Sequence, residues 1–148
     1  MVGGDKNKYD KIEYILKTFS KPIYVGDIGN DCAIKSVNNI LNVSHLCLTA
    51  EALKSLNEIG ISKDLTLEVI NNSSGRSLMT QERIPNDIVK KNYNYGFSLG
   101  LMKKDADLAL NIIKNPIMFN NINSLSEKSV DKYGYNADYT EIAKLFFD

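Results

Sequence analysis

Apolar residues recur at helical spacing along nearly the whole chain, and the strict alternation of a half-buried strand is almost absent. Met1–Gly4 reads as a strand end and a turn. Asp5 then opens an amphipathic helix to about Phe19, with Tyr9, Ile12, Ile15, Leu16 and Phe19 at helical spacing. Pro22-Ile23-Tyr24-Val25 predicts a short strand, closed by a turn over Gly26-Asp27-Ile28-Gly29. From about Asn30 to Ile59 neither Pro nor Gly occurs, which predicts one long helix. After Ile40 it is apolar nearly all round, the mark of a helix buried centrally. Gly60 is a natural stop, and Ser62 caps a shorter helix from Lys63 to about Ile70. Arg76–Arg83 predicts one or two more turns, ended by Pro85.

Residues 86–96 are polar and rich in Tyr and Asn, and read as a loop. A helix follows from about Leu99 to Ile113, then another from Pro116 to about Tyr133, stopped by Gly134. Asp138 with Glu141 predicts a capping box for a last helix through Phe147. The fold class is therefore mainly α: a helical unit on one long buried helix, with a short α/β remnant at the N-terminus.

Length and charge narrow the function classes. The 148 residues suit one domain. Lys plus Arg number 18 and Asp plus Glu number 18, so the basic excess of a nucleic-acid binder is missing. No apolar run approaches the ~18 residues of a membrane span, and residues 1–20 carry no secretory pattern. Cys32 and Cys47 fall on one helix, roughly 22 Å apart at 1.5 Å per residue, too far for a disulfide. Two unpaired thiols fit a reducing compartment, and the expected location is cytoplasmic, or the mitochondrial matrix if an upstream transit peptide exists. Two cysteines and one histidine are too few for a zinc cluster, so no metal is expected. His45 lies in an apolar helical run and reads as structural. The N-x-S/T triplets at Asn42, Asn71 and Asn72 mean little without a secretory route.

Two clusters carry candidate chemistry. In the first, a glycine turn feeds the long helix, and Lys35, Asn38, Asn39 and Asn42 follow at i, i+3, i+4 and i+7. A lysine and carboxamides on one stripe of a buried helix are costly unless they are hydrogen-bonded or line a cleft. The plain alternative is a lysine snorkelling at the start of the helix. If Lys35 is desolvated there, near the positive end of the helix dipole, its ammonium form is disfavoured and it can exchange a proton near neutral pH. The second cluster is Lys103-Lys104-Asp105, early in the helix after Phe97-Ser98. It is either a solvated charged turn or a cation aimed at a carboxylate or phosphate.

Neither cluster is specific alone. In order along the chain, Val2-Gly3-Gly4-Asp5 is similar to a VGG strand end, and Gly26-x-x-Gly29 with Lys35, Asn38 and Asn39 to a GxxGxxxxxKxxNN segment. Ala50-Glu51-Ala52 with Gly60, the Asn72–Ser77 turn, and Phe97 through Asp105 with Leu108-Ala109 complete the series. Together they resemble the β-hydroxyacid dehydrogenases, of the 3-hydroxyisobutyrate dehydrogenase and tartronate semialdehyde reductase type. The resemblance implies an all-helical C-terminal domain like that of 6-phosphogluconate dehydrogenase, over residues 30–148, after a Rossmann remnant over residues 1–29. It implies Lys35 as the catalytic acid and base, Asn39 and Asn38 as substrate-binding, and Phe97 and Lys104 as cofactor-binding.

The cofactor it implies is NAD or NADP, with only part of its site present, and the substrate a small 3-hydroxy acid or semialdehyde. Departures are Asn30, where a small residue usually follows the glycine, and the second lysine at Lys103. The G-x-G-x-x-G turn of a Rossmann domain does not occur. The expectation is half of a two-domain enzyme, inactive alone, whose partner is the missing Rossmann domain, with self-association through the helical domain open to it. The competing expectation is a non-enzymatic helical dimerisation or interaction module derived from the family.

Overall fold

Asp5 opens the first helix as its sequence predicts, its carboxylate accepting from the Lys8 amide at 2.9 Å. The computed structural model describes residues 1–147 and builds six α-helices, a π-helix and a 3₁₀ segment over them. Asp148, the last residue of the expected helical domain, lies outside the described residues. Helix α1 spans Lys6–Leu16, shorter than predicted. Of its apolar face only Tyr9 is buried; Ile12, Ile15 and Phe19 are exposed because no other helix packs substantially against α1. The predicted strand reduces to one parallel bridge, Val2 to Tyr24, with Val2 N–H donating to Ile23 at 2.9 Å and Val25 N–H to Val2 at 3.0 Å.

Gly29, at φ 94°, adopts the left-handed conformation that turns the chain into α2, Asn30–Glu58. This helix is the spine, and α4 (Leu99–Ile112) packs along it more extensively than any other element. Around them lie α3 (Lys63–Asn71), α5 (Met118–Tyr133) and the short α6 (Lys144–Phe147). The core joins Ile40, Val43, Leu46, Cys47, Ala50 and Leu53 of α2 to Leu99, Met102, Ala106 and Ala109 of α4. Gly100 is buried against the Tyr135 ring, which a Cβ would meet at 2.1 Å, so no larger residue fits without moving the tyrosine.

Three further details differ from the sequence reading. Helix α2 is buried on one side only: Ile34, Leu41, His45 and Leu48 face outward, so its apolar circumference exceeds what its neighbours cover. The chain does not stop at Pro85 but winds through it as a π-helix, Met79–Val89. A wider turn moves the carbonyl that a proline ring would strike in an α-helix. The last segment is a 3₁₀ turn, Tyr139–Ala143, followed by α6. Asp138 caps it by accepting from the Thr140 amide, but Glu141 turns to Lys144 at 2.6 Å instead of closing a capping box. Among the described residues no helix is long and apolar enough to cross a membrane.

Candidate active site

The N-terminal end of α2 and the middle of α4 meet at Asp105. Its side chain is 4% exposed. A buried carboxylate needs partners, and it has two on a single oxygen. Lys35 Nζ donates to Oδ2 at 3.2 Å, and Asn39 Nδ2 donates to the same atom at 2.7 Å. The one-turn spacing of Lys35 and Asn39 lets both reach that atom from α2. Ser98 sets the start of α4 by accepting from the Leu101 amide at 3.3 Å, and an antiparallel bridge from Ser98 to Asp138 anchors that start.

The desolvation of Lys35 expected from sequence is not found. Its side chain is 57% exposed and its partner is an anion. The buried charge of this pair is the carboxylate on α4.

Asn39 is also the link to a cavity of about 410 Å³, which it lines with Asn42, Arg83, Tyr95, Phe97, Met102 and Tyr139. Phe97 and Tyr95 both pack edge-on to Tyr139, with centroids at 6.1 Å and 5.4 Å. The Arg83 guanidinium lies 4.2 Å over the Tyr95 ring and is held by Glu82 at 2.9 Å. Burial pushes the Tyr139 phenol above its usual range, and its hydroxyl points at the Met79 sulfur, 3.8 Å away. The cavity thus offers carboxamides on one wall, aromatic rings on another, and one guanidinium.

The remaining predicted residues are dispersed. Asn38 is exposed and lines a different, apolar concavity with Ile34, Val37, Leu41 and Ile112. Lys104 is exposed on α4 beside Asp105. Its neighbour Lys103 is committed to both oxygens of Asp107, at 2.7 Å each. His45 faces outward; Cys32 is exposed and Cys47 buried, both as free thiols. Among the described residues no cluster of His, Cys, Asp and Glu is placed to hold a metal.

Sequence reasoning used Asp105 only as a motif landmark. The signal was available: Asp105 sits with Met102, Ala106 and Ala109 at i, i+3, i+4 and i+7, a charge on the core stripe of its helix. Arg83, Tyr95 and Tyr139 were missed because they come from separate stretches that no local spacing connects.

Comparison with known proteins identifies the family and the fold. A sequence family described as the NAD-binding part of NADP-dependent 3-hydroxyisobutyrate dehydrogenase matches residues 29–146. The chain is 36% identical to 2-(hydroxymethyl)glutarate dehydrogenase of Eubacterium barkeri over 74% of its own length and 37% of that protein's. It is 31% identical to the mitochondrial 3-hydroxyisobutyrate dehydrogenase of Rattus norvegicus over 92% of its length and 44% of that protein's. The chain therefore spans less than half the length of these relatives.

Two solved structures share the fold. The Mycobacterium tuberculosis 3-hydroxyisobutyrate dehydrogenase with L-serine superposes at TM-score 0.89 and 21% identity, covering 100% of this chain and 54% of that one. Psf3 in complex with NADP+ and 2-OPP superposes at TM-score 0.84 and 18% identity, covering 97% of this chain and 51% of that one. With the family match running nearly the length of the helical body, the chain belongs to the β-hydroxyacid dehydrogenase family.

Proposed function

We propose that the chain carries the proton-transfer part of an NAD(P)-dependent dehydrogenase acting on a small 3-hydroxy acid or its semialdehyde, with Lys35 as general acid and base. The observation that supports this is the convergence of Lys35 and Asn39 on one oxygen of buried Asp105, beside a cavity lined by Asn39 and Phe97. Lys35 holds the proton that the substrate carbonyl oxygen takes up, or accepts the alcohol proton in reverse. Its exposure lets bulk water restore that proton, while Asp105 restrains the direction of the ammonium. Asn39 spends its amide nitrogen on Asp105, which leaves its amide oxygen for a substrate hydroxyl. Asn38 takes the lesser part, reaching substrate only from the open flank of α2.

The cofactor, when bound, supplies the hydride acceptor or donor. Phe97 and Lys104 would hold it here. The Phe97 ring faces the cavity, and the engagement of Lys103 by Asp107 leaves Lys104 as the exposed cation of the pair. A cavity of about 410 Å³ is small among ligand sites, so it suits one ring and a small acid better than a whole dinucleotide. The chain alone is therefore expected to bind NAD(P) weakly and not to turn over. NADH and NADPH oxidation with tartronate semialdehyde and methylmalonate semialdehyde tests this, and robust turnover by this polypeptide would refute it. With a Rossmann domain supplied, Lys35→Ala is expected to lose on the order of 10²- to 10⁴-fold in the chemical step while retaining cofactor binding. Unchanged activity in that variant rejects the role of Lys35.

A second reading rests on the outward apolar positions Ile34, Leu41, Leu48, Leu108 and Ile112. Such a surface favours association, as an interaction module would require. Light scattering separates the readings: a clean monomer at high concentration counts against the module.

A further inference from the structure

At the far end of α2, opposite the Lys35 site, lies a second cavity of about 460 Å³. The 19 residues from Lys35 to Lys54 place it roughly 28 Å along the helix axis, too far for one small substrate to touch both. Four lysines line it: Lys54 from α2, Lys63 from α3, Lys91 after the π-helix, and Lys144 from α6. Glu58 is the one carboxylate among its lining residues. In a chain of zero net charge this is a strong local excess of positive charge.

Two of the lysines are paired loosely or locally. Lys54 stands 3.7 Å from Glu58, and Lys144 reaches Glu141 within its own turn. Lys63 and Lys91 have no carboxylate partner among the described residues. Lys63 instead lies 4.1 Å over the Phe147 ring, and Lys144 lies 4.4 Å over Tyr93.

The backbone adds an independent observation. Lys91 and Tyr93 have φ of 57° and 46°, a left-handed conformation that costs a non-glycine residue about 1 kcal/mol or more. Both line this cavity. The turn is held by the Lys91 amide donating to Ile88 at 3.0 Å and the Tyr93 amide to Asp87 at 3.1 Å.

We propose that this cavity binds a small polyphosphate-bearing molecule, at a site separate from the Lys35 centre. Each phosphate brings about −1.5 to −2 charge near neutral pH, so two joined phosphates more than neutralise the two positive charges that four lysines leave against Glu58 and Glu141. The inference does not depend on the dehydrogenase reading, since it concerns binding alone.

The test is a titration of the full chain with inorganic pyrophosphate, followed by amide NMR and calorimetry. Saturable binding is expected, with shifts concentrated at Lys54, Lys63, Lys91, Tyr93 and Lys144, and weaker binding of sulfate at equal concentration. The double variant Lys63→Gln, Lys91→Asn keeps both backbones, because Asn tolerates the left-handed region. It is expected to bind pyrophosphate about tenfold more weakly or worse, with an unchanged circular dichroism spectrum. Shifts spread evenly over all the lysines, no saturation at millimolar pyrophosphate, or equal binding by the folded double variant would each overturn the proposal.

Discussion

The two ends of α2 solve the problem of lysine charge in opposite ways. At the N-terminal end one exposed lysine meets one buried carboxylate, and a carboxamide completes the group. At the C-terminal end four lysines face a cavity with a single carboxylate in its lining. The first arrangement is balanced, and its geometry is set by the α2–α4 contact. The second pairs Lys54 and Lys144 with nearby carboxylates and leaves Lys63 and Lys91 without one among the described residues, the charge that the proposed ligand would neutralise. Between the two ends the inner face of the helix is dry, with Ile40, Val43, Leu46 and Cys47 all nearly inaccessible.

The largest effect that sharpens this contrast comes from the dry middle. Burial, with a smaller contribution from Glu51, pushes the Cys47 thiol from 9.0 up to about 12. A raised folded-state pKa means the stabilisation is complete below the unfolded value and is lost as pH rises through the folded one. Stability is expected to fall between pH 9 and 12, by about 4 kcal/mol from this group. Denaturation midpoints of the parent and Cys47→Ala across that range test it. The variant starts lower because it loses packing, but its alkaline limb should be flatter. In the same range the exposed Cys32 should be alkylated well before Cys47.

Smaller, and aimed at the balanced end, is an asymmetry between partners. Lys35→Met leaves the Asp105 carboxylate buried with only Asn39, and is expected to cost about 1–2 kcal/mol, a value discounted for the exposure of the lysine. Asp105→Asn leaves an ammonium that water can solvate, and should cost less, about 1 kcal/mol. Urea denaturation of both variants decides. If the aspartate substitution costs more, the carboxylate is not the group that needs its partner. The smallest effect belongs to the unbalanced end. Lys63→Gln should lie within about 0.5 kcal/mol of the parent, and on the stabilising side at low salt. A loss comparable to that of Lys35→Met would remove the distinction between the two ends.

Much of the fold is legible along the chain. The long helix, the Ser62 cap, the helix after Ser98 and the stops at Gly60 and Gly134 all follow from local signals. The differences arise where tertiary packing overrides a local rule. Pro85 reads as a breaker, yet the π-helix carries on through it. Ile12 and Ile15 carry a core pattern in α1 but find no partner helix. At the site, Lys35 and Asn39 are visible through their spacing on one helix. What they hold on to is a residue 66 positions beyond Asn39, and such a pairing exists only once α2 and α4 are packed.

The convergence on Asp105 sets stability and chemistry against each other. A leucine at this position would extend the apolar stripe of Met102, Ala106 and Ala109, and replacing a buried charge by an apolar group is often neutral or stabilising. A lineage selected for robustness alone would be free to make that exchange. On the proposed role of Lys35, Asp105 is kept at a cost to packing, and a chain with no use for that lysine could exchange the carboxylate for an apolar side chain.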